Sequence, residues 1–332
     1  MKKGRRSIFQ AGGDPLRKCG IWGCGASGAT VAYTLAQTGW FDDMVLIDPQ
    51  FRIAEAEAAD LSHALPFHVP MEIYAGDFAD LADCGLIILA EDYNTSGILD
   101  SMEHLRRKVQ HLRAVAGNIR LYNRDAILLC ISEPVEPLTM LIRHLSELPA
   151  SRVIGAGTVA DTARLKQMMG RYLGVDSRNV HTFLIGEHGR EEIPVWSSAN
   201  ISGIDLHRYY DGRGKGYDAS MLNGLFRDML ESRETVLQAK RVGHYALASA
   251  VKRIVSAIVH DESTILTVCT EIGGTYGLEN VCMSLPCVLG RRGVRQVLEI
   301  PLNEEEEAQL FQSARRLRER SDQLDSFLFQ SV

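Results

Sequence analysis

The sequence predicts an α/β protein in which a doubly wound parallel sheet is followed by an α+β domain. Short apolar strands alternate with helical patterns over residues 18–158. A glycine-rich turn lies between the first strand and the first helix, and the pattern changes to shorter strand-like pieces after Gly174. Ligands of such sheets bind at the carboxyl ends of the strands, so we expect the functional residues there.

The first strand, helix and second strand form a complete βαβ unit. Strand 19–22 runs into Gly23-Cys24-Gly25-Ala26-Ser27-Gly28, and helix 29–38 and strand 44–48 follow. Glycines at this spacing let a pyrophosphate approach the backbone at a helix N-terminus. Asp48 follows Gly28 by 20 residues, where a carboxylate accepts both ribose hydroxyls and repels a 2′-phosphate. The unit therefore predicts a Rossmann domain that binds NAD rather than NADP, the alternative being a glycine-rich turn and a surface aspartate.

The remaining elements continue the alternation. Predicted strands cover 71–74, 86–89, 126–131 and 152–154, and predicted helices cover 102–115, 138–148 and 159–173. Strand-like pieces follow near 181–185 and 193–196, then a helical region over 220–259 that breaks at Gly243, strands 263–270 and 281–288, and a last helix with Asn303 as N-cap. We assign 1–17 to a flexible basic tail, 18–158 to the dinucleotide-binding domain and 159–332 to a substrate-binding, catalytic domain.

Composition limits the class of protein. The chain has 332 residues, enough for two domains, and its net charge of −6 provides no basic field for nucleic acid. No apolar run approaches the roughly 20 residues of a membrane helix. The seven cysteines are scattered, without CxxC or paired Cys/His spacing. We expect reduced thiols in a cytoplasmic protein without a metal, a membrane or a nucleic-acid partner.

A reactive histidine is predicted in Gly186-Glu187-His188-Gly189, which follows an apolar run that ends as a strand. One histidine among ten is weak support by itself. Asp161 and Arg164, three residues apart on a predicted helix, share one face. They supply a carboxylate that orients an imidazole and a guanidinium that binds a substrate carboxylate. The alternative for this pair is a salt bridge on the helix surface.

These motifs resemble the NAD-dependent lactate/malate dehydrogenases over about residues 18–327. The resemblance rests on the glycine turn with Asp48, on Arg152-Val153-Ile154-Gly155-Ala156-Gly157-Thr158 leading to Asp161-Thr162-Ala163-Arg164, on the His188 motif, on Pro194-Val195-Trp196-Ser197, and on residues 284–293.

The resemblance implies that His188 takes the alcohol proton as hydride leaves for the nicotinamide, that Asp161 stabilises the imidazolium, and that Arg164 holds the substrate carboxylate. We expect a near-neutral pKa for His188. The resemblance also implies a homodimer or homotetramer acting on a small molecule. Cofactor contacts are assigned to Ala90 and Ser132, and a substrate contact is assigned to Gly243.

Several positions depart from the family pattern. The substrate loop usually carries an arginine three residues after a glycine, but here Asp100 stands there, or Ser101 if the loop is one residue longer. Glu133 replaces an asparagine beside the nicotinamide, and Glu91 replaces a glycine of the cofactor site. Asn94 fills the position that separates a neutral substrate side chain from a second carboxylate.

Two hypotheses follow from these departures. Loss of one preorganised charge-stabilising group costs about 10²–10³ in turnover, and the carboxylates of Asp100 and Glu133 would repel an anionic 2-oxo acid. The protein is therefore either a dehydrogenase with an atypical substrate, such as one with a cationic or polar group, or a pseudo-dehydrogenase that binds NAD in a structural or regulatory role. The complete set of His188, Asp161 and Arg164 favours the enzyme.

Overall fold

The computed structural model describes residues 15–91, 102–212 and 219–328. Within these ranges, the first half of the chain forms a parallel sheet with helices on both faces. Its strands are β1 (Lys18–Trp22), β2 (Asp43–Ile47), β3 (Glu72–Ala75), β4 (Leu86–Leu89), β5 (Ile127–Cys130) and β6 (Val153–Gly155), and its helices are α1 (Ala26–Ala36), α2 (Phe51–Ala64), α3 (Met102–Tyr122) and α4 (Val135–Ser146). The strand order β3-β2-β1-β4-β5-β6 is that of a Rossmann domain, as the sequence predicts.

The apolar character of the strands explains why this sheet is covered on both sides. Every residue of β4 and β5 is buried, as expected for parallel strands with helices on each face. Successive side chains alternate between two cores. Ile88 and Leu129 pack into one, and Ile87 and Leu128 pack into the other.

The second half of the chain extends the same sheet with antiparallel strands. Its elements are α5 (Val159–Leu173), β7 (Val180–His181), β8 (Leu184–Gly186), β9 (Glu192–Pro194), β10 (Asn200–Ile201), β11 (Ile204–Asp205), α6 (Leu206–Asp211), α7 (Ala219–Lys240), α8 (His244–Val259), β12 (Thr264–Gly273), β13 (Glu279–Gly290), β14 (Gly293–Val297) and α9 (Glu304–Phe327). Strand β12 pairs with β6, the order continues β12-β13-β8-β9, and β14 pairs with β13. Strands β11, β10 and β7 form a separate small sheet.

The predicted break at Gly243 is confirmed. Gly243 is the N-cap residue of α8, and α7 and α8 are bent by 115° relative to each other. Among the described helices, none is by itself long and apolar enough to span a membrane, although α7 and α8 counted together meet that criterion.

Two predicted helix-capping residues are also confirmed. Gly174 ends α5 in a left-handed conformation, as a C-cap glycine does. Asn303 caps α9, where its side chain accepts from the Glu306 backbone N–H and the Glu306 carboxylate accepts from the Asn303 backbone N–H.

Two expectations need correction. Residues 15–17 were assigned to a flexible tail, yet Pro15–Arg17 forms a 3-10 helix in which Arg17 Nε donates to Asp42 Oδ2 at 2.8 Å. Leu16 is buried, which anchors this segment; residues 1–14 lie outside the described ranges. The sequence analysis also missed α2, in which Ala54, Ala58 and Leu61 form the buried stripe.

Candidate active site

A histidine–aspartate pair forms where α5 passes the end of β8. His188 Nδ1 lies 2.7 Å from Asp161 Oδ2, a hydrogen-bond distance. The side chain of Asp161 is buried, and its Oδ1 is ion-paired with Arg164 Nη1. The structure thus brings together the three residues that the sequence grouped.

Two threonines of the α5 region fix this helix against β8. The Thr158 hydroxyl donates to the carbonyl of Leu184 at 2.5 Å, and the Leu184 N–H donates to the Thr162 hydroxyl at 3.1 Å. Asp161 lies between these threonines in the sequence, and His188 follows the end of β8. The spacing between carboxylate and imidazole is therefore set by these contacts to the Leu184 backbone as well as by their own ion-pair contact.

The other ring nitrogen of His188 faces a carboxylate and a guanidinium. Glu133 Oε1 lies 3.3 Å from Nε2, and Arg233 Nη2 lies 2.9 Å from the same nitrogen. The Arg233 and Glu133 groups are 3.5 Å apart. Arg233 needs a lone pair on Nε2, whereas Glu133 needs a proton there. Each protonation state of His188 consequently has a partner.

A third carboxylate approaches the histidine from the buried side. Glu192 Oε1 accepts from the Gly189 backbone N–H at 2.8 Å and lies 3.4 Å from His188 Nδ1. Burial and the charge of Asp161 raise the pKa of Glu192 to about 7. Ligand atoms of Asp161, His188 and Glu192 lie within 4.8 Å of one another, so this group could hold a metal ion. The direct contact between Asp161 and His188 is that of an oriented proton-transfer pair.

These charges shift the protonation equilibria. Burial alone lowers the pKa of His188, but the charge and hydrogen bond of Asp161, with those of Glu133 and Glu192, raise it well above its ordinary value. Asp161 and Glu133 thus act on this pKa in the direction expected from the sequence, and they shift it upward from the ordinary value. Burial raises the pKa of Glu133, but His188, Arg233 and Lys108 outweigh it and lower this pKa to about 2.

The glycine turn forms a cradle for a dinucleotide. A Cβ on Gly28 would lie 1.9 Å from the carbonyl oxygen of Gly23, and one on Gly23 would lie 2.7 Å from that of Ala90. Gly23 also has φ of +93°, which favours glycine. Cys24 donates its backbone N–H to Asp48 Oδ2 at 2.9 Å. The predicted carboxylate thus lies against the turn, where the residues present fit a bound NAD.

Glu91 follows β4 and contacts a histidine of α3. Its carboxylate is buried and lies 2.6 Å from Nδ1 of His111. The hydrogen bond and charge of Glu91 raise the pKa of His111 despite partial burial. Glu91, which the resemblance led us to expect in place of a glycine, therefore has a histidine partner.

Three further predicted site residues, Gly25, Ser132 and Gly243, are among the described residues. Gly25 is the N-cap residue of α1, and Ser132 follows β5, where its hydroxyl donates to the carbonyl of Leu89 at 3.2 Å. Gly243 lies at the bend between α7 and α8. Asn94 and Asp100 lie outside the described residues.

Sequence analysis missed Arg233, Glu192 and His111. The position of Arg233 in the helical pattern could have indicated its role. Arg233 follows Leu222 by eleven residues and Met229 by four on α7, so helical periodicity places a cation on the apolar face. No comparable signal marks Glu192 and His111, because their contacts depend on how separate segments pack.

Comparison with known proteins agrees with this geometry. Residues 17–155 match the family profile of the lactate/malate dehydrogenase NAD binding domain, and residues 158–328 match that of the lactate/malate dehydrogenase alpha/beta C-terminal domain. The L-lactate dehydrogenase of Acetivibrio thermocellus is 38% identical over 310 residues, which are 93% of this chain and 98% of that protein. The L-lactate dehydrogenase of Thermoanaerobacter pseudethanolicus is 37% identical over 93% of this chain and 100% of its own length.

Solved structures show the same similarity. The ligand-bound minor L-lactate dehydrogenase from Enterococcus mundtii superposes with a TM-score of 0.88 at 28% identity, covering 93% of this chain and 99% of that one. A lactate dehydrogenase from a Medee basin deep-sea metagenome library gives a TM-score of 0.87 at 34% identity over the same shares. The chain belongs to the lactate/malate dehydrogenase family, and its cofactor is NAD.

Proposed function

We propose that this protein is an NAD-dependent 2-hydroxy acid dehydrogenase of the lactate type. The observation that carries the proposal is the 2.7 Å contact between His188 Nδ1 and Asp161 Oδ2, with Arg164 ion-paired to the same aspartate. Such an imidazole accepts or donates a proton at Nε2 while the carboxylate stabilises its charged form. Arg164 is 23% exposed, which leaves its guanidinium accessible to a substrate carboxylate.

Each residue of the site has a distinct role in the proposed reaction. Bound NAD supplies the hydride acceptor or donor at the nicotinamide. Gly23, Gly28 and Asp48 would hold the dinucleotide at the carboxyl ends of β1 and β2. Arg164 binds the substrate carboxylate, and His188 removes the hydroxyl proton at Nε2 during oxidation or returns it during reduction. Asp161 keeps Nδ1 protonated and thereby keeps Nε2 available.

An atypical substrate was predicted from the carboxylates of Glu133 and Asp100, and the structure weakens the argument from Glu133. Glu133 was expected to repel a 2-oxo acid, but the guanidinium of Arg233 lies 3.5 Å from its carboxylate and offsets that charge. Asp100, the second carboxylate that was expected to repel the substrate, lies outside the described residues. L-lactate dehydrogenases are also the relatives at 37–38% identity. We therefore propose small monocarboxylic 2-hydroxy acids as the first substrates to test.

We also propose a homo-oligomer in a reducing, cytoplasmic environment. All seven cysteines are free and buried, as expected where thiols stay reduced. Sedimentation velocity of the purified chain tests the oligomer, and a monomer at all concentrations would refute it.

A panel of 2-oxo acids assayed by NADH absorbance tests the function. We expect turnover of pyruvate or a close homologue, and a loss of about 10²–10⁴-fold in kcat for His188→Asn. The matched control is His181→Asn, because His181 is an exposed histidine outside the site. NADH should bind to both variants as it binds to the parent. NADH binding without turnover of any acid would instead support the pseudo-dehydrogenase.

A further inference from the structure

Arg233 reaches the proposed site from α7. Leu222 and Met229 of this helix pack in the same core as Leu165 and Met169 of α5. This packing directs the next residue of the same helix face, Arg233, toward the neighbouring His188. The Arg233 side chain is only 17% exposed, so its guanidinium is held within the protein rather than in solvent.

Two polar contacts hold this guanidinium beside the imidazole. Nη2 lies 2.9 Å from His188 Nε2 and 3.5 Å from Glu133 Oε1. Nη1 lies 3.5 Å from the place where a Cβ on Gly189 would be. Among the described residues, Arg233 is the cation within hydrogen-bond distance of Nε2. Any substrate oxygen that binds to Nε2 is therefore within reach of Arg233.

The proposed reaction places negative charge on the substrate oxygen, which a nearby cation would stabilise. As hydride forms the new C–H bond at C2 of a 2-oxo acid, the π electrons of the carbonyl move to its oxygen. That oxygen then takes the proton from His188 Nε2, NADH is oxidised, and the 2-oxo acid is reduced. A preorganised cation beside the oxygen lowers the energy of this charge.

We propose that Arg233 is a further catalytic residue, whose guanidinium donates to the reacting oxygen of the substrate beside His188. This assignment rests on the proposed dehydrogenase function. Glu133 is a positioning residue in it, because its carboxylate accepts from the guanidinium and contacts Nε2. One carboxylate thus orients both groups that meet the same oxygen.

A different role for Arg233 is recognition of a second carboxylate on the substrate. Such a contact belongs at the end of the substrate remote from the reacting carbon. The 2.9 Å separation between Arg233 and the proton-transferring nitrogen instead places the guanidinium at the reacting oxygen. The two roles differ in kinetics, since charge stabilisation acts on kcat for every 2-oxo acid, whereas carboxylate recognition acts on KM for dicarboxylic acids.

Steady-state kinetics of Arg233→Ala test the proposal. We expect kcat for pyruvate reduction to fall about 10²–10³-fold, with NADH affinity unchanged. Added guanidinium chloride should restore part of the rate, compared with sodium chloride at the same ionic strength. The matched control is Arg227→Ala, an exposed arginine on the same helix, which should retain parental kcat and show no response to guanidinium. If Arg233→Ala fails to fold, Arg233→Lys takes its place and should show an intermediate kcat.

The outcomes separate this proposal from the proposed function. An active parent with an unchanged kcat in Arg233→Ala overturns the role of Arg233 and leaves the dehydrogenase intact. A selective rise in KM for oxaloacetate, with kcat for pyruvate retained, assigns Arg233 to a second carboxylate and also overturns it. A parent that reduces no 2-oxo acid refutes both proposals.

A double-mutant cycle tests the positioning role of Glu133. Glu133→Gln should lower kcat less in Arg233→Ala than in the parent, because the part of its effect that acts through the guanidinium is already lost in that variant. Guanidinium rescue of Arg233→Ala should also weaken when Glu133→Gln is added. Strictly additive losses with unchanged rescue would show that Glu133 does not position Arg233.

Discussion

The two ring nitrogens of His188 lie in differently charged surroundings. Nδ1 faces the buried carboxylates of Asp161 and Glu192, whereas Nε2 faces Glu133 together with Arg233. The carboxylates favour the imidazolium and keep a proton on the ring. The guanidinium of Arg233, which contacts Nε2, favours the neutral ring instead. His188 should consequently stay protonated, and so available to donate in reduction, to higher pH than an ordinary histidine, and it should act as a base only above that raised pKa.

The pH dependence of both reaction directions follows from the raised pKa of His188. Reduction needs the imidazolium, so its kcat/KM should be level below that pKa and fall as pH rises through it. Oxidation needs the neutral ring and should rise with pH over the same interval. Asp161→Asn removes the charge that raises the pKa of His188 most. Both transitions should therefore move to lower pH by about 1–3 units.

Kinetics of both directions as a function of pH, for the parent and Asp161→Asn, provide the measurement. Asp60→Asn, at an exposed aspartate of α2, should leave both transitions in place. Transitions that stay at the parental pH in Asp161→Asn would show that this carboxylate does not control His188.

At the scale of elements, the glycine turn joins β1, α1 and β4. Gly28 is inside the first turn of α1, and the carbonyl oxygen of Gly23 occupies the space where its side chain would be. The helix N-terminus can approach the strand ends only because no Cβ intervenes. The backbone N–H groups that bind a pyrophosphate are thereby held at the cradle.

Gly28→Ala should weaken NADH binding by at least about tenfold, or about 1.4 kcal/mol, because its Cβ would lie 1.9 Å from the Gly23 oxygen. Gly117→Ala is the matched control, since Gly117 is a helical glycine of α3 with no atom within 4 Å of the added Cβ. The control should keep its NADH affinity and gain up to about 1 kcal/mol of stability. Calorimetric titration and thermal melts check both. Equal NADH affinities of the two variants would place the cofactor elsewhere.

The pair of Glu91 and His111 links the end of β4 to α3. Because the folded-state pKa of His111 is raised, its contribution to stability is present below the unfolded-state pKa and is lost as pH rises through the raised value. Glu91→Gln should therefore lower the free energy of unfolding by about 1 kcal/mol at acidic pH and by less at alkaline pH.

Chemical denaturation at both pH values measures this difference. Glu103→Gln is the control on α3, because Glu103 and its partner Arg107 are both exposed and such pairs contribute little. A Glu91→Gln effect that does not depend on pH would mean that the charge of His111 is not involved.

At the scale of the whole molecule, one continuous sheet connects the cradle with His188. Strand β6 of the Rossmann domain pairs with β12 at Gly155 and Cys269, and β13 pairs with β8 at Ser284 and Gly186. His188 follows β8 directly. The position of the proton-transferring group relative to the cofactor is thus fixed by strand pairing across both halves of the chain.

The sequence was sufficient for features set by local pattern and spacing. Periodicity predicted the βαβ order, and the motifs predicted that His188, Asp161 and Arg164 belong together. Contacts set by packing could not be predicted in this way. Arg233 is 45 residues from His188, and their contact depends on how α7 packs against α5. Glu133 was expected to repel the substrate because its neutralising partner was not visible in the sequence.

Transfer of deuterium from NADH to the substrate tests the dehydrogenase function. NADH carrying deuterium at the transferring position of the nicotinamide is incubated with the protein and pyruvate, and the product is analysed by NMR. We expect deuterium at C2 of lactate in the parent protein and little product with His188→Asn. Bound NADH whose deuterium never reaches C2 of any 2-hydroxy acid would contradict the assignment of this protein as a dehydrogenase.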